Sequence, residues 1–277
     1  MDIAGRTAVI VTMHGKEDLI AAGLAESGLR FLSPPEIDTD RFGTFSGEIP
    51  RAGSQLNALL TKAREGLDAV PHADFALASE GAFGPHPAYG FVPGGREMVV
   101  LLCRASGLHV IGEDLTLETN FASCDARTAA EARAFAEGIG FPEHGLLLAP
   151  PGGTGPIIKD IEGLDALGAT AAPLLAEHGA MHLRTDMRAH RNPTRRRSIA
   201  RAVADLAHRL GQRCPDCALA GRSKGWPALQ LVRDGDARQC RPALSLSKMR
   251  ARTRRANRPR SDGRSRSLSG LQSLKCD

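Results

Sequence analysis

The stretch TAVIVTMHGKEDLIAAGLAESG, residues 7–28, decides the fold class. Residues 7–13 form an apolar run rich in β-branched side chains, the composition of a buried strand. From Lys16 the apolar positions change to helical spacing, at Leu19, Ile20 and Leu24, and Gly28 ends the helix as a left-handed cap does. A strand that feeds directly into a helix is the building unit of an α/β protein.

The same alternation continues outward. Residues 50–70 read as a helix with Leu56, Leu59, Leu60, Ala63 and Leu67 on one stripe. Strands are expected at 73–79, 97–103, 108–114, 144–150 and 180–187, and helices at 126–140, 162–179 and 193–213. The expected fold is α/β, a mixed, mainly parallel sheet flanked by helices.

With 277 residues, 42% of them hydrophobic, the chain has material for a substantial core. The opening apolar run meets charge before it reaches signal-peptide length. No stretch approaches the roughly 18 apolar residues of a spanning helix. A cytoplasmic protein with no membrane partner is the expectation. Six cysteines, two of them close together, do not make a disulfide framework.

Charge divides the chain sharply. Residues 1–220 hold 21 Lys and Arg against 27 Asp and Glu, whereas residues 221–277 hold 15 against 4. Three parts are therefore expected: an α/β domain over 1–213, an incomplete zinc-ribbon remnant over 214–240, and a disordered basic tail over 241–277. The tail's Arg/Ser bias lacks any apolar period and cannot bury enough to offset its ordering entropy. It reads either as a nucleic-acid-binding arm or as a frameshift product, the composition favouring the latter.

Several constellations carry candidate chemistry. The loop TMHGKE (12–17) joins the first strand to the first helix, where ligands collect in α/β sheets, and His14 and Lys16 suit a phosphate there. The polar segment DTDRFGTFSGEIPRAGS (38–54) offers Asp38, Asp40 and Glu48 for a metal, and Lys62 on the following helix for phosphate; its acids serve equally as turn formers. In ADFALASEGAFGPHP (73–87) an apolar strand runs into Glu80, a charge that must be paired, hydrogen-bonded or bound to a cation. Magnesium is one partner for Glu80 and an arginine such as Arg96 another. His86 follows in the same segment. TDMRAHRNPTRRR (185–197) supplies Asp186, Arg188, His190, Asn192 and Arg195, a mixture fit for an anion or a carboxylate network, with Asn192 also an N-cap ahead of Pro193. Cys214 and Cys217 form half of a zinc ribbon without an evident second half.

Taken in order, TMHGKE, DTDRFGTFSGEIPRAGS, SEGAFGPHP, TNFA, GFPEHGL, TDMRAHRNPTR and CPDC resemble an uncharacterised bacterial family, domain of unknown function 6671, over residues 7 to about 220. That resemblance implies a second C-x₂-C that completes a zinc ribbon; here it is missing, which leaves zinc doubtful and agrees with an altered chain end. Residues 7–115 are also similar to inosine/xanthosine triphosphatase-like nucleotide pyrophosphatases. The similarity lies in Thr12, Lys16, Glu48, the helix with Asn57, Lys62 and Ala63, and Glu80-Gly81, with His14 where that group has Asn. It implies a Mg²⁺-dependent phosphoanhydride hydrolase acting on a nucleotide or related phosphorylated small molecule. Glu48 and Glu80 would hold the metal and act as catalytic acids, and His14, Lys16 and Lys62 would bind phosphate; the TDMRAHRNPTR segment, which those enzymes lack, would add Asp186 as a further catalytic acid and Arg188 and Arg195 as further phosphate ligands where it folds over the cleft. The alternative is a non-catalytic ligand-binding module whose ribbon contacts nucleic acid or protein.

Overall fold

The computed structural model describes residues 3–13, 15–32, 53–153, 155–212, 232–233 and 236–237. One sheet is built from β1 (Thr7–Val11), β2 (Arg30–Leu32), β3 (Phe75–His86), β4 (Tyr89–Cys103) and β5 (His109–Thr116), with α1 (Glu17–Gly23) and α2 (Gln55–Ala69) inserted in the chain between its early strands. The spatial order is β2-β1-β3-β4-β5. β1 lies parallel to both β2 and β3, whereas β3, β4 and β5 pair antiparallel, so the sheet is mixed. A second sheet, of order β6-β8-β7, is antiparallel and uses β6 (Ser123–Ala126), β7 (Leu146–Ala149) and β8 (Met181–Thr185). It carries α3 (Ala129–Ile139) and α4 (Gly163–His178), and α5 (Pro193–Gly211) follows.

Strand alternation sorts the first core into two layers. Ala8, Ile10, Phe75, Leu77, Val99 and Leu101 pack with Ile20 and Leu24 of α1 and Ile199, Val203 and Leu206 of α5. Their neighbours Val9, Val11, Ala76, Ala78, Met98 and Val100 pack on the other face against Leu59, Ala63 and Leu67 of α2. The central strands therefore read as continuous apolar runs, because both of their faces are covered. The second sheet has its own core, in which Leu146, Leu148, Met181 and Leu183 meet Ala136 of α3 and Leu167 of α4.

Local chemistry fixes the element ends. Gly28 takes the left-handed conformation, φ 75°, that closes the turn after α1. The Ser54 hydroxyl accepts from Asn57 N at 3.1 Å, and the Asn192 side chain accepts from Arg195 N at 2.9 Å, capping α2 and α5. At the far end of α2 the Arg104 guanidinium donates to the carbonyls of Leu67, Val70 and Ala73, so those C-terminal acceptors are satisfied. Among the described residues no helix is long and apolar enough to cross a membrane.

The sequence reading departs from the structure chiefly at residues 80–96. That Gly/Pro-rich stretch, expected as a loop after a strand ending near Glu80, forms the outer half of the β3–β4 hairpin. Beyond Val11 the strand β1 no longer accompanies β3. The outer hairpin thus lacks the continuous covering that makes a strand apolar, and leaves no apolar signature to read. β2 and β6, three and four residues long, were likewise too short for any period to appear.

Helix α5 seats directly on β5. A Cβ at Gly112 would stand 2.3 Å from both Ala202 O and Leu206 N, backbone atoms that move only if the helix moves. Gly112→Ala should therefore cost about 1–3 kcal/mol of stability in urea unfolding, the usual range for overpacking; a variant as stable as the parent would show that α5 does not approach β5 this closely.

Candidate functional site

The strand order reverses at β1, whose neighbours are β2 on one side and β3 on the other. The helix after β1 packs with α5 on one face, while α2 covers the opposite face. Open α/β sheets bind ligands at such a reversal, beyond the carboxyl ends of the strands. The loop from Thr12 to Lys16 leaves β1 at this point. Because β3 continues to His86, the loop crosses beside β3, and Thr12 Oγ1 lies 3.4 Å from Ser79 Oγ.

Two ion pairs flank this position on opposite faces of the sheet. Glu80 alternates with Ala76 and Ala78 and therefore points to the α2 side, where its Oε2 accepts from Lys62 Nζ at 2.5 Å. Gln55 of α2 holds the local backbone by donating to Glu80 O at 2.8 Å and Arg96 O at 2.9 Å. Glu97, paired in register with Gly81, points to the α5 side and accepts from Arg195 Nε at 2.7 Å. Both side chains of that second pair are fully buried. Arg195 also donates to the Met187 carbonyl, and its Cζ stands 5.4 Å from the centre of the Phe83 ring.

Gly81 is the clearance that lets Glu97 and Arg195 meet over β3. A Cβ there would be 2.4 Å from Glu97 Oε1 and 2.8 Å from Arg195 Nη2. On the same buried face, Glu97 Oε2 has no hydrogen-bond partner among the described residues.

Lys16 is near enough to both pairs for its charge to be influenced by all four groups. It is only 5% exposed, and among the described residues its ammonium makes neither hydrogen bond nor ion pair. Burial pulls its pKa down to about 7, the charges of Arg195 and Lys62 push the same way, and Glu97 and Glu80 oppose them. The loop that carries it is tied to α5 by Arg196 Nη1, which donates to Gly15 O at 2.7 Å.

The structure thus gathers Lys16, Lys62, Glu80 and Arg195, which the sequence singled out, and adds Glu97, which it did not. A recognisable signal preceded Glu97: a carboxylate heading the unbroken apolar run 98–103 must be buried with it. Glu80 pairs with Lys62 and not with Arg96, whose guanidinium holds Glu113 instead, at 2.6 Å. It also sits inside β3, well short of the strand's end.

The TDMRAHRNPTR residues divide between tasks. Asp186, 1% exposed, accepts from Arg188 through both the backbone N at 2.9 Å and the guanidinium at 2.7–3.1 Å. Arg188 reaches on to Asp160 at 2.7 Å and holds that carboxyl below its ordinary range. Asn192 donates to Asn120 Oδ1, Asp186 O and Met187 Sδ while capping α5. His190 is exposed, and its slight burial and the Arg188 charge lower its pKa. His86 belongs to the hairpin turn, with Nδ1 accepting from Ala88 N at 3.2 Å and the ring stacked on Tyr89. His14, Asp38, Asp40, Glu48, Cys214 and Cys217 lie outside the described residues. Among the described residues, no three His, Cys, Asp or Glu side chains are grouped to hold a metal ion.

The family model of the domain of unknown function DUF6671 matches residues 62–228. No curated protein matches the chain, and the expected similarity to nucleotide pyrophosphatases is not shown.

Lys16 gives the cluster a measurable signature. Between pH 7 and 10.5 the unfolded chain keeps the Lys16 proton while the folded chain releases it, so the parent gains stability as pH rises through that interval. Lys16→Met should be more stable than the parent at pH 6, by on the order of a few kcal/mol. That advantage should shrink steadily toward pH 10 in paired denaturant titrations. An advantage of equal size at both ends would mean that Lys16 keeps an ordinary pKa.

Proposed function

This chain belongs to the DUF6671 family of domains of unknown function, and from its buried charges we propose that it binds the phosphates of a nucleotide or related small molecule and hydrolyses a phosphoanhydride bond. One observation carries the proposal: the buried Lys16 ammonium, without a partner among the described residues, beside two cations that are already matched by two carboxylates. Among the described residues, such a cluster has one positive charge in surplus when Lys16 is protonated. A phosphate oxygen supplies the missing counter-charge in a place shielded from water, where the attraction is far stronger than at a surface. The position at the strand-order reversal, beyond the end of β1, supports the same reading.

In this mechanism Lys16 and Lys62 grip the phosphate oxygens, and Arg195, positioned by Glu97, adds positive potential behind them. The attacking water donates to Glu97 Oε2, a buried acceptor with no other hydrogen-bond partner among the described residues. A new bond forms between the water oxygen and phosphorus, and the bridging P–O bond breaks with its electron pair leaving on the departing phosphate. The water's proton passes to the Glu97 carboxylate. Magnesium belongs to the proposal as the companion of the polyphosphate, neutralising its charge, with Glu80 and Glu48 as the carboxylates expected to face it. Of these, the described residues include Glu80, which Lys62 already holds.

The full chain should release phosphate or pyrophosphate from at least one member of a panel of canonical and deaminated nucleoside triphosphates, and only with Mg²⁺. Lys16→Ala and Glu80→Gln, checked for folding by circular dichroism, should each lower kcat/KM about 100-fold or more. Undiminished turnover by both variants would remove the cluster from the chemistry. Tight triphosphate binding without turnover would make the protein a binding module.

A further inference from the structure

Between the tip of the β3–β4 hairpin and the start of β6 lies an open groove of 380 Å³, walled by Pro85, Phe91, Val92, Pro93, Phe121 and Ser123 among others. Its volume falls within the range of small-molecule sites. Its origin is a break in the hairpin register: Pro85 pairs with Pro93, but the next pair is His86 with Tyr89, so Gly90, Phe91 and Val92 stand outside the ladder. The bulge holds the Phe91 ring in solvent at 90% exposure, a costly position for the largest kind of apolar side chain. None of the lining residues is charged, so the groove suits a neutral group and not a further phosphate.

Packed side chains link the groove wall to the charged cluster. Phe121, in its wall, stacks on Phe83 with ring centres 6.1 Å apart and planes inclined by 26°. Phe83 in turn has the Arg195 guanidinium over its ring, with Cζ 5.4 Å from the ring centre. Gly81, over which Arg195 meets Glu97, and Pro85, in the groove, are four residues apart on β3, about 13 Å along the strand. A sugar and a short chain of phosphates covers such a distance.

We infer that this groove is the subsite for a flat, nucleobase-sized ring of the same ligand whose phosphates meet Lys16 and Lys62. The inference rests on the reading of that cluster as a phosphate site. The ring stacks on Phe91 and Phe121, and its polar edge meets the Ser123 hydroxyl and the backbone of the bulged residues. Stacking of this kind tolerates different rings, because each presents a π-face.

The test compares two probes on the full-length protein by isothermal titration calorimetry with EDTA present: sodium tripolyphosphate, which has no ring, and ATP. ATP should bind about tenfold tighter than tripolyphosphate, the gain expected of one stacked ring. Phe91→Ala should abolish that gain and leave tripolyphosphate binding unchanged, and Phe91→Trp should restore it; the exposure of Phe91 makes these variants safe for the fold. Equal affinity of the parent for the two probes, or a gain that survives Phe91→Ala, would overturn the ring subsite and leave the phosphate site standing. Failure of the parent to bind either probe, both with EDTA and with Ca²⁺ in its place, would overturn both.

Discussion

The fully buried pair of Arg195 and Glu97 is the interaction on which the rest of the structure depends. Glu97 belongs to β4 in the first sheet, Arg195 to the opening turn of α5, and the Met187 carbonyl that takes another of its hydrogens follows β8 in the second sheet. One guanidinium therefore joins both sheets and a helix. Removing either partner of such a pair leaves an uncompensated buried charge and costs about 3–5 kcal/mol, a large part of a domain's net stability. The interaction also explains Gly81, since a side chain at that point would occupy the space in which the two groups meet.

The pair on the other face, Lys62 with Glu80, has a different neighbourhood but the same burial. What makes these two pairs more than structural staples is the third cation near both. Paired charges are tolerated inside a protein because each cancels the other's field; among the described residues, Lys16 is left over. Its depressed pKa is the price of that position, and a ligand anion would refund it. Four and eight residues further on, the corresponding positions are the apolar core residues Ile20 and Leu24.

Much of this was legible in the sequence, for reasons that differ by residue. The strand of Thr7–Val11 and the helices around Leu59 and Ile199 declare themselves because two covered faces or one apolar stripe impose a composition. Lys16 and Glu80 stood out as charges beside apolar runs, and Asn192 as a cap before a proline. Glu97 escaped because it precedes the apolar run 98–103, where a charge looks like an ordinary strand boundary although β4 begins at Tyr89, and because its partner lies 98 residues away. Gly81 escaped because clearance is a property of three dimensions. Asp186 and Arg188 were expected as a catalytic acid and a phosphate ligand within an anion or carboxylate network; in the structure they pair with each other, and Arg188 also with Asp160.

Asn192 has a consequence beyond its place in the hydrogen-bond network. Its amide donates to three groups and accepts from the backbone of Arg195, so conversion to aspartate would replace a donor by a second acceptor and add a charge in a fully buried position. Asparagine ages by that very conversion, which begins when the nitrogen of the next residue attacks the side-chain amide. Here the next residue is Pro193, whose nitrogen has no hydrogen to lose. The proline that starts the helix thus also guards, over the lifetime of the molecule, the one amide that the start of the helix requires.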